Sequence, residues 1–67
     1  MNKLTTNKGG IMDTYITETL GIIPKEYETL SRAEGQADYL LSNYPGIEVK
    51  IYRRNGVNDY LVKTITR

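Results

Sequence analysis

Polar and apolar positions alternate along the first half of the chain in a way that is typical of β-structure. Residues 14–20 read Thr-Tyr-Ile-Thr-Glu-Thr-Leu. This run of β-branched and aromatic residues, interleaved with polar ones, predicts a strand over residues 13–20. Gly21 interrupts the pattern, and Pro24 favours an extended or turning backbone for the residues before it. Residues 25–30 fit either a short strand or a helical turn.

A helix is predicted for the middle of the chain. Residues 31–34 read Ser-Arg-Ala-Glu, a capping box in which the serine hydroxyl accepts the glutamate amide hydrogen and the glutamate carboxylate reaches back. Apolar residues then recur in one stripe at helical spacing: Ala33, Ala37, Leu40, Leu41 and Tyr44. The Pro-Gly pair at residues 45–46 ends the pattern. Because the stripe also continues backwards to Ile23, one long helix over residues 24–44 is the alternative.

The last third of the chain predicts a β-hairpin. Two β-rich runs meet at Asn55-Gly56, a strong short-range hairpin signal, because both central residues of a type I′ turn need positive φ. With the preceding elements, the chain order becomes β-β-α-β-β. We therefore expect a small α+β fold in which one helix packs on one face of a four-stranded antiparallel sheet.

The expected register of this hairpin follows from a two-residue loop at Asn55-Gly56. Such a loop pairs Arg54 with Val57 and sets Glu48 opposite Lys63. The side chains expected to face the helix are Ile47, Val49, Ile51, Tyr60, Val62 and Thr64. Those expected on the other face include Tyr52, Leu61 and Ile65. Two tyrosines, Tyr44 and Tyr60, are expected in the core.

Residues 1–11 are polar and show no periodicity, so we expect a flexible tail ahead of a single domain over residues 12–67. The codons of Lys8-Gly9-Gly10 can form a ribosome-binding sequence just ahead of Met12. The alternative interpretation is therefore that translation starts at Met12 and that the first residues are a translated leader.

Composition narrows the range of functions. The chain has 67 residues, enough for one domain, and contains neither histidine nor cysteine. The usual general bases, nucleophiles and transition-metal ligands are therefore missing, so we expect no enzyme, no catalytic residues, no metal site and no cofactor. No apolar run is long enough to span a membrane, and the absence of cysteine fits the reducing cytoplasm. The residue bias is typical of AT-rich coding, as in a low-GC bacterium, its phages or its mobile elements.

Small size also predicts self-association. A chain of this length buries only about 60% of its unfolded surface, and no disulfide supplements its core. We expect a homodimer with two-fold symmetry, with Tyr52, Leu61 and Ile65 at the contact.

A partner-binding surface is predicted on the helix. Gly35 lies at helical spacing from Tyr39 and Ser42, on the side opposite the apolar stripe. Glycine there lowers helix stability by about 0.5–1 kcal/mol relative to alanine. A close contact with an unidentified protein, anchored by Tyr39, would account for it.

Basic residues gather on the hairpin, where candidate nucleic-acid contacts are Lys50, Arg53, Arg54 and Lys63. The alternative is a solvated edge protected by charge, and the chain's pI of about 8.0 lies below the value above about 9 expected of a dedicated nucleic-acid binder. The leading hypothesis is thus a non-catalytic protein-binding module that self-associates, an accessory or inhibitory protein of a phage or mobile element. Nucleic-acid binding is the alternative.

Overall fold

A computed structural model describes residues 13–66 as one four-stranded antiparallel sheet and one helix. The elements, in chain order, are β1 (Thr14–Thr19), β2 (Ile22–Tyr27), α1 (Leu30–Asn43), β3 (Glu48–Asn55) and β4 (Asn58–Thr66). The strands lie in the order β2-β1-β3-β4. The predicted α+β fold with the order β-β-α-β-β is therefore confirmed. The predicted tail and the start at Met12 lie outside the described residues.

Strand β2 decides between the two interpretations of residues 25–30. The strand continues to Tyr27, so the long helix over residues 24–44 does not form. β2 is an edge strand that pairs only with β1 in the described sheet. An edge accommodates Pro24, because proline has no backbone N–H to donate to a neighbouring strand.

The core lies between α1 and the strands β1, β2 and β3. The helix buries the first four residues of the predicted stripe, Ala33, Ala37, Leu40 and Leu41. They pack against Val49 and Ile51, which are completely buried on β3. Two alanines at the contact have short side chains, and these let the helix axis approach the sheet closely.

The helix begins two residues earlier than the capping box predicts. Its N-cap is Thr29, which has extended backbone angles and whose side chain accepts a hydrogen bond from the Arg32 N–H at 3.2 Å. Ser31 lies inside the helix, and the Glu34 carboxylate instead accepts a hydrogen bond from Lys63 Nζ at 2.6 Å. The earlier start brings Leu30 into the helix, where it packs against the core.

The register predicted for the C-terminal hairpin is wrong. Asn55 pairs with Asn58, so the two loop residues are Gly56 and Val57. Gly56 has φ of +63° and takes the first loop position, where a type II′ turn requires glycine. This register differs from the predicted one by two residues, so Tyr60 and Leu61 stay on their predicted faces.

Further along β4 the pairing shifts again, by one residue. Tyr52 pairs with Leu61, but its neighbour Ile51 pairs with Lys63, so β4 carries one extra residue at this point. The shift turns over the rest of the strand. Ile65, predicted on the exposed face, pairs with Val49 and packs against the core. The shift therefore buries part of the Ile65 side chain, a stabilising contact that the Asn-Gly turn signal cannot predict.

Tyr44 and Tyr60 were expected in the core, but both are exposed. Tyr44 is the C-cap of α1 and has non-helical backbone angles, so its side chain leaves the apolar stripe. Tyr60 lies on the helix side of the sheet, but β4 extends beyond the strands that α1 covers. Its ring instead contacts the Arg53 guanidinium, 5.4 Å from the ring centre.

Candidate protein interface

An open groove lies at one end of the sheet. Because β1 and β3 are antiparallel, with Glu18 opposite Lys50, the β1–β2 turn lies beside the loop that leads from α1 into β3. The groove between them has a volume of about 710 Å³. Its lining residues are Glu18, Thr19, Leu20, Gly21, Ile22, Pro24, Gly46, Ile47, Glu48 and Lys50. We call this feature the apolar groove.

Large aliphatic side chains are exposed in the turn beside the apolar groove and at the start of β2. Leu20 is 98% exposed and Ile23 is 82% exposed. Turns usually carry glycine, proline or short polar residues. Gly21, with φ of +84°, meets the conformational need of this turn, but its neighbours are apolar. Burial of one such side chain is worth about 1.5–3 kcal/mol, a gain that this fold leaves unrealised.

The floor of the apolar groove is held to the core. Thr19 is buried, and its hydroxyl donates a hydrogen bond of 2.7 Å to the Glu48 carbonyl. This bond joins the end of β1 to the start of β3. Ile22 and Ile47 pack against the core from the two sides of the groove. The groove is therefore built on residues whose positions the fold fixes.

Charged groups surround the apolar groove. The Lys50 ammonium lies 4.0 Å from the Glu48 carboxylate. Glu18 faces Lys50 across the strands, but its carboxylate forms no ion pair with any of residues 13–66. The rim thus places one cation between two exposed carboxylates.

The predicted partner surface on the helix is exposed as expected. We call Gly35, Tyr39 and Ser42 the helix patch. Tyr39 is 60% exposed, and its carbonyl accepts a hydrogen bond of 2.8 Å from the Asn43 side chain. A Cβ atom added at Gly35 would meet nothing within 4 Å. No group in the described structure therefore requires glycine at this position.

The residues predicted at an oligomer contact do not share one face. Tyr52 and Leu61 pair with each other on the face opposite α1, which we call the outer face. There they form a row with Ile16, the partner of Tyr52 on β1. Ile65 lies on the other side, against the core.

A charged network borders this row on the outer face. The Arg54 guanidinium donates to both Asp59 carboxylate oxygens, at 2.9 and 3.2 Å, and to Glu26 at 3.4 Å. Thr14 donates a hydrogen bond to Glu26. Hydrogen bonding to Arg54 lowers the pKa of Asp59 below its ordinary value, and the same contact raises the pKa of Arg54. The network links all four strands.

The structure does not gather the candidate nucleic-acid contacts into one basic patch. Lys50 and Arg54 lie on the outer face, whereas Arg53 and Lys63 lie on the helix side, as their strand positions require. Each forms an ion pair within the described structure. The pairs are Lys50 with Glu48, Arg54 with Asp59 and Glu26, Arg53 with Asp13, and Lys63 with Glu34. Binding a phosphate backbone would compete with these ion pairs.

Comparison with known proteins found no matching family model, curated protein or solved structure. Among residues 13–66, no helix is long and apolar enough to cross a membrane. The same part of the chain brings no three potential metal-ligating side chains together.

The apolar groove was not predicted from the sequence. The available signal was the run Leu-Gly-Ile-Ile at residues 20–23, since a turn built from aliphatic residues is unusual. The other wall, around Ile47, comes from a part of the chain that approaches only after β1 and β3 pair.

Proposed function

We propose that this chain is a non-catalytic protein-binding module that self-associates and binds through the apolar groove. The single observation that carries the proposal is the nearly complete exposure of Leu20 beside that groove. Exposed apolar side chains that adjoin a concave surface are typical of protein interaction sites.

The chemical character of the groove favours a protein over a nucleic acid. Its lining combines the aliphatic residues Leu20, Ile22 and Ile47 with charged ones, and two glutamates flank its lysine. Carboxylates repel a phosphate backbone. Nucleic-acid binding through the hairpin remains the weaker proposal, because its basic side chains are already paired with acids.

The helix patch is the second surface in this proposal and would receive a different protein. Its support is the exposure of Tyr39, since tyrosine is enriched where a surface is wet when free and apolar when bound. We propose that the module is an accessory or inhibitory protein of a phage or mobile element. We also propose that it acts in the reducing cytoplasm, because it contains no cysteine.

Sedimentation equilibrium on the full chain, from micromolar to near-millimolar concentration, tests self-association. We expect a monomer–dimer equilibrium. Capture from host lysate on the immobilised chain, with and without nuclease, tests the class of partner. Protein partners should survive nuclease treatment. A chain that stays monomeric and captures only nuclease-sensitive material would contradict the proposal and favour nucleic-acid binding.

A further inference from the structure

We propose that a second copy of the chain occupies the apolar groove, and that Leu20 of each copy inserts into the groove of the other about a two-fold axis. This inference rests on the proposed self-association and specifies its contact. It differs from the contact that the sequence predicted, which used Tyr52, Leu61 and Ile65.

Two complementary features lie at the same end of the molecule. Leu20 projects from the rim of the same groove that would receive it. A two-fold contact uses the same surface on both copies. In a two-fold dimer, Leu20 of each copy can therefore fill the groove of the other, so the same contact forms twice. Ile23, exposed at the start of β2, adds apolar surface next to this turn.

The charged groups at the rim of the groove also favour a second copy. Glu18 and Glu48 lie on either side of Lys50 at the groove. Within residues 13–66, Glu18 has no ionic partner. A two-fold rotation can bring Lys50 of one copy to Glu18 of the other, and the reverse pair forms at the same time. The rim is thus complementary to itself, and it would be less suited to a strongly acidic or a strongly basic partner.

The two sheet edges and the outer face carry features that oppose pairing between copies. The free edge of β2 contains Pro24, which lacks a donor. The free edge of β4 contains Lys63 and a one-residue shift in pairing, both of which discourage strand addition. On the outer face, the apolar row is bordered by the Arg54 network.

Three matched serine variants test the site of contact. Leu20 and Val57 are both aliphatic, both lie in hairpin turns, and are 98% and 97% exposed. They lie at opposite ends of the sheet, since β1 and β3 are antiparallel. Leu20→Ser should raise the dimer dissociation constant by about 100-fold or more, because each dimer loses two buried leucines. Val57→Ser and Leu61→Ser should leave it unchanged.

A charge exchange tests the orientation of the two copies. Glu18→Lys and Lys50→Glu should each weaken self-association, because each places like charges at both rim contacts. An equimolar mixture of the two variants should recover a heterodimer, measured by sedimentation. Equal melting temperatures at concentrations where all variants are monomeric will show that folding is intact.

The outcomes separate the two proposals. A dimer that is lost in Leu61→Ser but retained in Leu20→Ser would overturn the groove contact while leaving self-association in place. Failure of the charge-exchanged mixture to recover a dimer would overturn the two-fold arrangement. A wild-type chain that stays monomeric at every concentration would overturn both this inference and the proposed self-association.

Discussion

Replacement of Thr17 by valine should stabilise this protein. Thr17 is a polar residue with only 3% of its surface exposed, on the helix side of β1 opposite Ile51. Among the described residues its hydroxyl has no hydrogen-bond partner. A buried polar group left unpaired costs about 1–3 kcal/mol, and valine replaces it with a methyl group of similar size. Threonine and valine both favour strands.

The change in unfolding free energy can be compared with that of a matched control, Thr19→Val. Thr17→Val should raise the free energy of unfolding by about 1 kcal/mol or more, equivalent to about 4–8 °C in melting temperature for a domain of this size. Thr19 is also buried, but its hydroxyl donates to the Glu48 carbonyl. Thr19→Val makes the same chemical change and should lower the free energy of unfolding by about 0.5–1.5 kcal/mol.

Urea unfolding followed by circular dichroism measures both values. All variants should be compared at one protein concentration, because self-association raises apparent stability by mass action. If Thr17→Val is destabilising, or if the two variants shift stability in the same direction, the Thr17 hydroxyl makes a favourable interaction and the reasoning fails.

Three further predictions concern the helix and the outer face. Gly35→Ala should raise stability by about 0.5–1 kcal/mol in thermal melts, because the space around it is open; a loss would show a backbone requirement for glycine. Thr29→Ala should lower stability by about 1 kcal/mol, whereas Ser31→Ala should have little effect. A larger loss in Ser31→Ala than in Thr29→Ala would instead support the capping box. Asp59 has a lowered pKa when folded, so its contribution to stability is present above its ordinary pKa of 3.8 and is lost as the pH falls through the lowered value. Arg54→Gln should reduce this acid dependence in pH-resolved melts, and an unchanged pH profile would argue against the pair.

The parts of the fold that were predictable depend on short-range pattern. Alternation over residues 13–20 predicts β1, and the stripe from Ala33 to Leu41 predicts the buried side of α1, because each element must bury one face. The hairpin register was not predictable in the same way. The Asn-Gly signal is local, whereas the observed pairing also depends on the burial of Ile65 against the core. The start of the helix was not predictable from local pattern either. The capping box places the cap at Ser31, but Thr29 is the cap because the earlier start lets Leu30 pack against the core.

The candidate site was predictable only in part. The exposure of Gly35 and Tyr39 follows from helical periodicity, because both lie opposite the buried stripe. The separation of the four basic hairpin residues onto two faces depends on strand register. The apolar groove depends on two segments, residues 18–24 and 46–50, that are distant in the chain and meet only in the folded sheet. Sequence periodicity describes the faces of a single helix or strand. It does not show which distant segments of the chain come together in the fold.

The one-residue shift in β4 has a consequence for how this protein tolerates changes of length. Deleting a residue from a strand usually turns over every side chain beyond it. In β4, however, the pairs Tyr52–Leu61 and Ile51–Lys63 leave Val62 without a place in the regular ladder. A chain that lacks Val62 could form both of these pairs, and Val49–Ile65 as well, in an uninterrupted register. The hairpin therefore contains one residue that its pairing does not need. Deletion of Val62 should leave the core intact, whereas substitution of Ile65 would damage it.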